Sequence, residues 1–273
     1  MPEASHTPFW VGKDQTGRPI ELERAPKRIV SLVPSQTELL ADLELEEEVV
    51  GITKFCIHPQ KWFRNKTRVG GTKNVKLDVL LHLVPDLVIA NKEENTAEDI
   101  QAIAEHCPVW VSQIEDLDSA LDMIGTIGQL TTRHDASKAL MQSIRTGFEK
   151  LHNVTAPKQA LRVVYLIWKD PIMAAGTDTF IHEMLKRAGF ENAVTDLRYP
   201  TLSNEELEAL DADFVLLSSE PFPFKGKHVE QLKNTFPNQR FVEVDGELFS
   251  WYGSRLLKTP EYLQSLRKEL EMA

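Results

Sequence analysis

The chain has 273 residues, 42% of them hydrophobic and 26% charged, enough apolar content for a full core in one large domain or two small lobes. A formal net charge of −10 and a pI near 5.4 exclude an electrostatic nucleic-acid or anionic-membrane surface, because both need clustered Lys and Arg. No run of about 18 apolar residues exists to span a bilayer, and two cysteines, Cys56 and Cys107, exclude a disulfide scaffold without deciding the redox compartment.

The N-terminus, MPEASHTPFWVGKDQTGRP, shows no basic start, apolar h-region or small-residue cleavage site. The expectation is a cytoplasmic chain as written or a mature form whose leader has been removed. A turn signal over Asp14 to Gly17, followed by alternating Ile20 and Leu22, predicts a hairpin. Arg28 to Val33 is a short β-branched strand that stops at Pro34. Ser35 and Glu38, spaced as a capping box, then open a helical stretch from Leu39 to Leu45. The alternative reading of Ser35 and Glu38 is a helix N-terminus facing a bound anion or polar group.

Further strands are expected at Val49 to Ile52, Pro85 to Ala90 and Pro108 to Ser112. Helical patterns fill the intervals, which is the layout of a parallel α/β sheet. Two connections, Phe55 to Pro59 and Lys92 to Asn95, follow strands where ligand-binding loops of open sheets lie, and a third, Val69 to Asn74, reads as a turn. Phe55-Cys-Ile-His-Pro59 carries Cys56 and His58, two donors where tetrahedral zinc wants four. Val69-Gly-Gly-Thr-Lys-Asn74 has no P-loop spacing, and its glycines suit close approach of backbone or ligand. Lys92-Glu-Glu-Asn95 reads foremost as a solvated charge cluster.

Asp135 to His152 is the clearest long helix, a spine of roughly 27 Å. Ala136, Ala139, Leu140, Ser143, Ile144, Gly147, Phe148 and Leu151 recur at three- and four-residue steps on one face. Asp135 is placed to cap it, and Pro157 lies just beyond its end. After the spine, Arg162 to Trp168 is again a strand, broken by Asp170-Pro171. Gly176-Thr-Asp-Thr179 leads into a helix ending at Gly189. An internal match then appears. The segment from Leu77 to Ala90 aligns with the segment from Glu206 to Leu217 as helix, turn Asp, strand; Asp86 and Asp213 are 213 − 86 = 127 residues apart. The same offset relates Leu80 to Leu207, Leu83 to Leu210 and Asp78 to Glu205. Two copies of one α/β unit around a long helix predict two similar lobes with a ligand cleft between them.

Phe55, Trp168, Tyr199, Phe222, Phe224, Trp251 and Tyr252 mostly follow strands or sit in Pro- and Gly-rich loops, the pattern of a ligand-facing rim; the competing reading is closure of the lobe ends. Arg255 suits either a ligand carboxylate or phosphate or an acidic neighbour.

The succession RIVSLVPSQTELL, VGITKFCIHP, VGGTKNVKLDVLLHLVPDLVIA, WKDPIMAAGTDTFIHEMLKRAGFENAV, YPTLSNEELEALDADFVLL and FSWYGSRLL resembles the helical-backbone (class III) periplasmic substrate-binding proteins of ABC importers for cobalamin, haem and iron-siderophores, vitamin B12-binding members most of all. The resemblance covers about residues 14 to 270. It implies an α/β fold of two Rossmann-like lobes with central parallel sheets, bridged by one long backbone helix. The expected boundaries are 1–131 for the N-terminal lobe with its hairpin, 132–156 for the bridging helix and 157–273 for the C-terminal lobe. It also implies no catalysis and no intrinsic cofactor. The ligand would be a corrinoid first, haem or a ferric siderophore next.

By position, Phe55 matches an aromatic that contacts the corrin, and Tyr199 an aromatic before a Ser-x-Glu motif on the opposite lobe. Asp78 and Glu205 match the paired carboxylates that dock onto permease arginines. Thr72, Lys73, Trp168, Phe222, Trp251, Tyr252 and Arg255 complete the expected ligand rim, with Cys56 and His58 as further contacts. In a departure from the family pattern, Thr72-Lys73 stand where a tryptophan is expected. The resemblance implies a monomer, partnered by a permease and located in the periplasm or at the cell surface; with no leader visible, a cytoplasmic location stays open. The rival readings are a cytoplasmic enzyme with Cys56 as nucleophile and His58 as base, for which the two would point the same way on an extended segment, and a free metal-ion binder using the same pair.

Overall fold

The computed structural model describes residues 7–155 and 160–273. Pro157 and the expected boundary at 156 and 157 lie outside the described residues. The chain divides into two compact units. One comprises the chain up to Ile114 with Asp118–Gln142 and Tyr252–Ser254; the other comprises Glu115–Leu117, Ser143–Trp251 and Arg255–Ala273.

In the first unit, β1 (Trp10–Lys13) and β2 (Pro19–Leu22) form the expected antiparallel hairpin. Its turn is organised by the buried Asp14 carboxylate. That group accepts from the Thr16 and Arg18 amides, each at 2.9 Å, and from the Arg18 guanidinium at 2.9 Å. Then follow β3 (Ile29–Ser31), α1 (Pro34–Asp42), β4 (Val49–Ile52), α2 (Gln60–Asn65), β5 (Thr67–Arg68), β6 (Gly70–Gly71), β7 (Asn74–Val75), α3 (Leu77–His82), β8 (Leu87–Asn91), α4 (Ala97–Ala104), β9 (Val109–Ser112) and α5 (Leu117–Leu130). The sheet runs β5-β4-β3-β8-β9, parallel throughout. Val30, Val88, Ala90, Val109 and Val111 pack from one sheet face against Leu80, Ile100 and Ile103 of α3 and α4. A parallel strand covered on both faces reads as an unbroken apolar run, which explains why β8 and β9 are buried at every position.

The expected capping box at the start of α1 is not formed. Pro34, with φ preset for a helix and no amide to satisfy, takes the first helical position, and Val33 caps without a side-chain bond. Ser35 is thereby drawn into the first turn and buried.

The long helix α6 spans His134–Thr155 and contributes residues to both units. Asp135 lies in its first turn rather than at the cap. Ser137, Ile144, Phe148, Leu151 and Thr155 are its buried positions, while Ala136, Ala139 and Ser143 are exposed, so the packed stripe is narrower and rotated from the expected one. Gly128 of α5 is what lets the first turn of α6 come close: a Cβ there would lie 2.0 Å from Ser137 Oγ and 2.4 Å from Ser137 Cβ.

The second unit holds β10 (Leu161–Trp168), β11 (Met173–Ala174), α7 (Phe180–Arg187), β12 (Phe190–Asn192), α8 (Asn204–Ala209), β13 (Phe214–Ser218), α9 (Gly226–Thr235), β14 (Phe241–Val244), α10 (Glu247–Ser250), a 3₁₀ turn (Ser254–Leu257) and α11 (Thr259–Met272). Strand β10 pairs in parallel with β13, which pairs in parallel with β14. Its other edge takes β12 in parallel along the first half and β11 antiparallel along the second. Gly189, at φ +74 after α7, ends that helix as expected.

The internal repeat holds to the residue. Helices α3 and α8, and strands β8 and β13, begin and end at the same offset of 127. Val84 at φ 45 and Asp211 at φ 46 are equivalent turn positions. Each copy carries the same clasp. The Asp86 carboxylate accepts the Arg28 amide at 2.8 Å while Arg28 Nε donates to the Leu83 carbonyl at 2.8 Å; Asp213 accepts the Arg162 amide at 2.8 Å while Arg162 Nε donates to Leu210 at 3.0 Å. The turn aspartate thus fixes where the neighbouring strand begins.

Candidate functional site

The carboxyl ends of the parallel strands define one edge of each sheet. In the first unit, β4 runs into a tight turn in which the Cys56 amide donates to the Thr53 carbonyl at 3.2 Å and the Phe55 amide to Thr53 Oγ1 at 3.3 Å. This throws Phe55 outward, 50% exposed, with Lys54 Nζ 4.9 Å from its ring centroid. The β6–β7 hairpin closes against the same turn. Gly70, at φ +110, has room for no Cβ, since one would lie 2.4 Å from the Asn74 carbonyl, and the position of a Gly71 Cβ is 3.3 Å from both Lys54 and Phe55 side-chain carbons.

The Asn95 amide group donates to the Thr72 carbonyl at 2.9 Å and the Lys73 ammonium to the Glu93 carbonyl, so the loop 92–95 is bound to the hairpin. That loop is itself built by asparagines: Asn91 Oδ1 accepts the Glu93 and Glu94 amides at 2.8 and 3.0 Å, and Asn95 Oδ1 accepts the Asn91 amide at 2.8 Å. Lys92–Asn95 is therefore a built loop rather than only a solvated charge cluster. Phe55 and the hairpin that carries Thr72 and Lys73 thus lie on one edge.

Cys56 and His58 require a correction. The segment is not extended but turned, and the Cys56 side chain points inward. It is fully buried, its Sγ 3.1 Å from both Thr37 Oγ1 and Thr53 Oγ1, whereas His58 is half-buried. Burial pushes the thiol's pKa up, against its hydrogen bonds with the two threonines. A protonated, enclosed sulfur is a poor nucleophile and a poor metal donor. Among the described residues no three His, Cys, Asp or Glu side chains are grouped to hold a metal ion.

In the second unit, Trp168 ends β10 at 39% exposure, its indole N–H donating to the Asp170 carbonyl at 3.1 Å. Phe222 meets it edge-on at 5.4 Å and stacks on toward the buried Phe224 at 4.8 Å. Tyr199 is half-buried, with the Arg198 guanidinium 5.6 Å from its ring.

Trp251, Tyr252 and Arg255, expected on the ligand rim, are built into the fold instead. Trp251 is 7% and Tyr252 8% exposed. The Trp251 indole donates to Glu220 Oε1 at 2.8 Å, beside the Ser250 hydroxyl at 2.6 Å on the same oxygen. Arg255 is ion-paired with Glu247 and lies 4.6 Å from the Trp251 ring, so its fork is engaged by the acidic neighbour. Glu220, missed in the sequence, is the centre of this group: burial raises its carboxyl pKa most, Glu247 and Asp245 raise it further, and the Ser250 and Trp251 bonds oppose them.

Asp78 and Glu205 occupy the first turns of α3 and α8, both exposed. The Glu205 carboxyl is held below the usual range by its own amide and by the Ser203 hydroxyl. A groove of about 370 Å³ in the second unit, lined by Lys169, Pro171, Leu202, Asn204, Leu232 and Phe236 among others, contains none of the expected ligand contacts. No helix of the described residues is long and apolar enough to cross a membrane.

Residues 29–241 match the periplasmic binding protein family. An uncharacterized ABC transporter substrate-binding lipoprotein of Bacillus subtilis, YvrC, is 27% identical over 264 residues, covering 92% of this chain and 82% of that protein. A cobalamin-binding protein of Halobacterium salinarum is 26% identical over 209 residues, 74% of this chain and 57% of that one. Among solved structures, the periplasmic heme-binding protein BhuT in complex with two hemes aligns at a TM-score of 0.79 and 25% identity, over 90% of this chain and 98% of that one. The vitamin B12-binding protein BtuF of Vibrio cholerae aligns at 0.78 over 91% and 99%; at 19% identity that likeness speaks for the fold.

Proposed function

We propose, from the premise that this chain belongs to the periplasmic binding protein family, that it is a non-catalytic carrier that captures a bulky metal chelate and presents it to an ABC importer. A corrinoid is the first candidate, haem or a ferric siderophore the next, in keeping with the names of its relatives. The observation that carries the reading is the pair of exposed aromatics, Phe55 and Trp168, each at the carboxyl end of a parallel strand and one in each unit. Leaving a large π face in water is unfavourable unless a partner covers it, and a flat macrocycle covers such a face well. Tyr199 and Phe222 extend the second unit's aromatic surface.

In this reading Asp78 and Glu205 meet basic groups of the permease, as their exposure and repeat-related placement allow, and the protein works on the outer side of the membrane. The Cys56–His58 enzyme reading loses its support, because the thiol is enclosed and held protonated.

A titration with cobalamin, cobinamide, haemin and a ferric siderophore, following tryptophan fluorescence and the ligand's visible band, tests the proposal. The expected result is saturable one-to-one binding of a chelate, weakened about tenfold or more by Phe55→Ala and by Trp168→Ala, on the scale of a lost stacking partner. Absence of binding by every chelate would refute it.

A further inference from the structure

We propose that Arg198 is a positioning residue, which fixes the ring of Tyr199 in the orientation that stacks on the ligand. This rests on the carrier reading above, and every contact it uses lies within the second unit.

Tyr199 is carried on a strap, residues 195–202, laid along residues 172–177. The Leu202 amide donates to the Ile172 carbonyl at 2.9 Å, the Ala174 amide to Pro200 at 3.1 Å, the Gly176 amide to Arg198 at 2.8 Å and the Thr177 amide to Asp196 at 2.8 Å; the Arg198 amide returns to the Thr177 carbonyl at 2.8 Å. Such a ladder brings main chain against main chain, and Gly176 permits it, since a Cβ there would collide with the Asp196 carbonyl. The backbone is thus pinned on both sides of Tyr199, at Arg198 and at Pro200. What stays to be fixed is the ring.

Two residues here stand in the left-handed region, Asp178 at φ 59 and Arg198 at φ 64. An aspartate enters that region with comparative ease, an arginine at a cost. The Arg198 guanidinium is well placed to offset it: Nη1 donates to the Asp178 carbonyl at 2.8 Å, and the group lies 5.6 Å from the centre of the Tyr199 ring. The Asp178 carboxylate, 4.0 Å away, adds little, because both side chains are in contact with water. The carbonyl bond therefore holds the cation, and the cation–π contact passes that order to the ring. A cation over one face leaves the other face for a flat ligand, and binding then does not have to order a tyrosine rotamer.

Arg198→Gly separates positioning from structure, because glycine relaxes the left-handed backbone while removing the guanidinium. The probe is the tightest binder among cobalamin, cobinamide, haemin and the ferric siderophore. The expected result is a variant that is folded by circular dichroism, melts within a few degrees of the parent and binds the probe about three- to tenfold more weakly, on the scale of one aromatic contact. In a Tyr199→Ala background the same change should have no further effect on affinity. Labelling with 3-fluorotyrosine gives a reading without ligand: of the four tyrosine signals in fluorine NMR, the one lost in Tyr199→Phe should move or broaden in Arg198→Gly. Should glycine cost the fold, Arg198→Asn, also at ease in the left-handed region, takes its place. If the probe binds and the variant holds it as tightly as the parent, or its loss simply adds to that of Tyr199→Ala, or the Tyr199 signal does not change, the inference is overturned and the carrier reading stands. If none of the four chelates binds, the carrier reading fails and this inference with it.

Discussion

Gly128→Ala tests whether small residues set the approach of α5 to α6. The added methyl carbon would lie 2.0 Å from Ser137 Oγ, 2.4 Å from Ser137 Cβ and 3.2 Å from the Arg133 carbonyl. The hydroxyl can rotate away, but the Cβ is fixed to a helical backbone held by the Arg133 amide on the Gly128 carbonyl at 2.7 Å and the Ser137 amide on Arg133 at 2.9 Å. Carbon atoms in contact sit about 3.5–4.0 Å apart, so the two segments must separate by roughly 1 Å. Overpacking of this kind costs about 1–3 kcal/mol. Alanine's better helix propensity returns at most about 1 kcal/mol, and less near the end of α5. The expected net loss is about 1–2 kcal/mol, seen as a fall of several degrees in Tm at this chain length. Ser137→Gly removes both obstructing atoms, so the double variant Gly128→Ala/Ser137→Gly should melt no lower than Ser137→Gly alone. Thermal unfolding of the four proteins completes the cycle. A neutral Gly128→Ala, or simple additivity of the two changes, would refute the packing argument.

Glu220 carries a folded-state pKa raised above its ordinary 4.5, so the fold favours the neutral carboxyl. Stability should therefore fall as pH climbs from about 4.5 through the raised value and then level off, a slope that Glu220→Gln, whose carbonyl still accepts from Trp251 and Ser250, removes; parallel Tm profiles between pH 4 and 8 would contradict this. Cys56 is enclosed and Cys107 is half-buried with its pKa pushed up to about 11, so the native protein should react slowly with a thiol reagent at pH 8 and fully once unfolded. Rapid native labelling of Cys56, read by mass spectrometry, would defeat that account. Asp86→Ala and Asp213→Ala remove equivalent clasps and should each cost about 1 kcal/mol after allowing for their solvent contact, independently of one another; chemical denaturation in which either change is silent would break the equivalence.

Much of the fold is legible in residue pattern because covered parallel strands demand continuous β-branched runs, and RVVYLIW and LVIAN supply them. The repeat was readable at single-residue accuracy for a physical reason: the turn aspartate anchors the start of a neighbouring strand, so neither its identity nor its spacing can drift without losing the clasp. Periodicity does not report which way a turn faces. The reversal after β4 sends Phe55 out and Cys56 in, and no spacing rule separates them. Proline in the first helical position displaced the expected cap at Ser35 in the same local way. Trp251 looked like a rim residue because its partner, Glu220, is recognised only once β13 and β14 lie side by side, whereas Arg255 is turned onto Glu247 by the short segment that follows β14.

The first unit includes Tyr252–Ser254, residues that the ribosome adds long after the rest of that unit. Gly253 lies against the turn into α1, so close that a Cβ would be 2.9 Å from the Ser35 carbonyl. A nascent chain halted at Trp251 therefore has every strand of both sheets and still lacks a piece of the unit that began to form first. Cotranslational folding of that unit stays provisional until Tyr252–Ser254 emerge. A stop just ahead of Tyr252 consequently damages the first unit as well as the second, and the cell's quality control meets a first unit that is assembled but not locked.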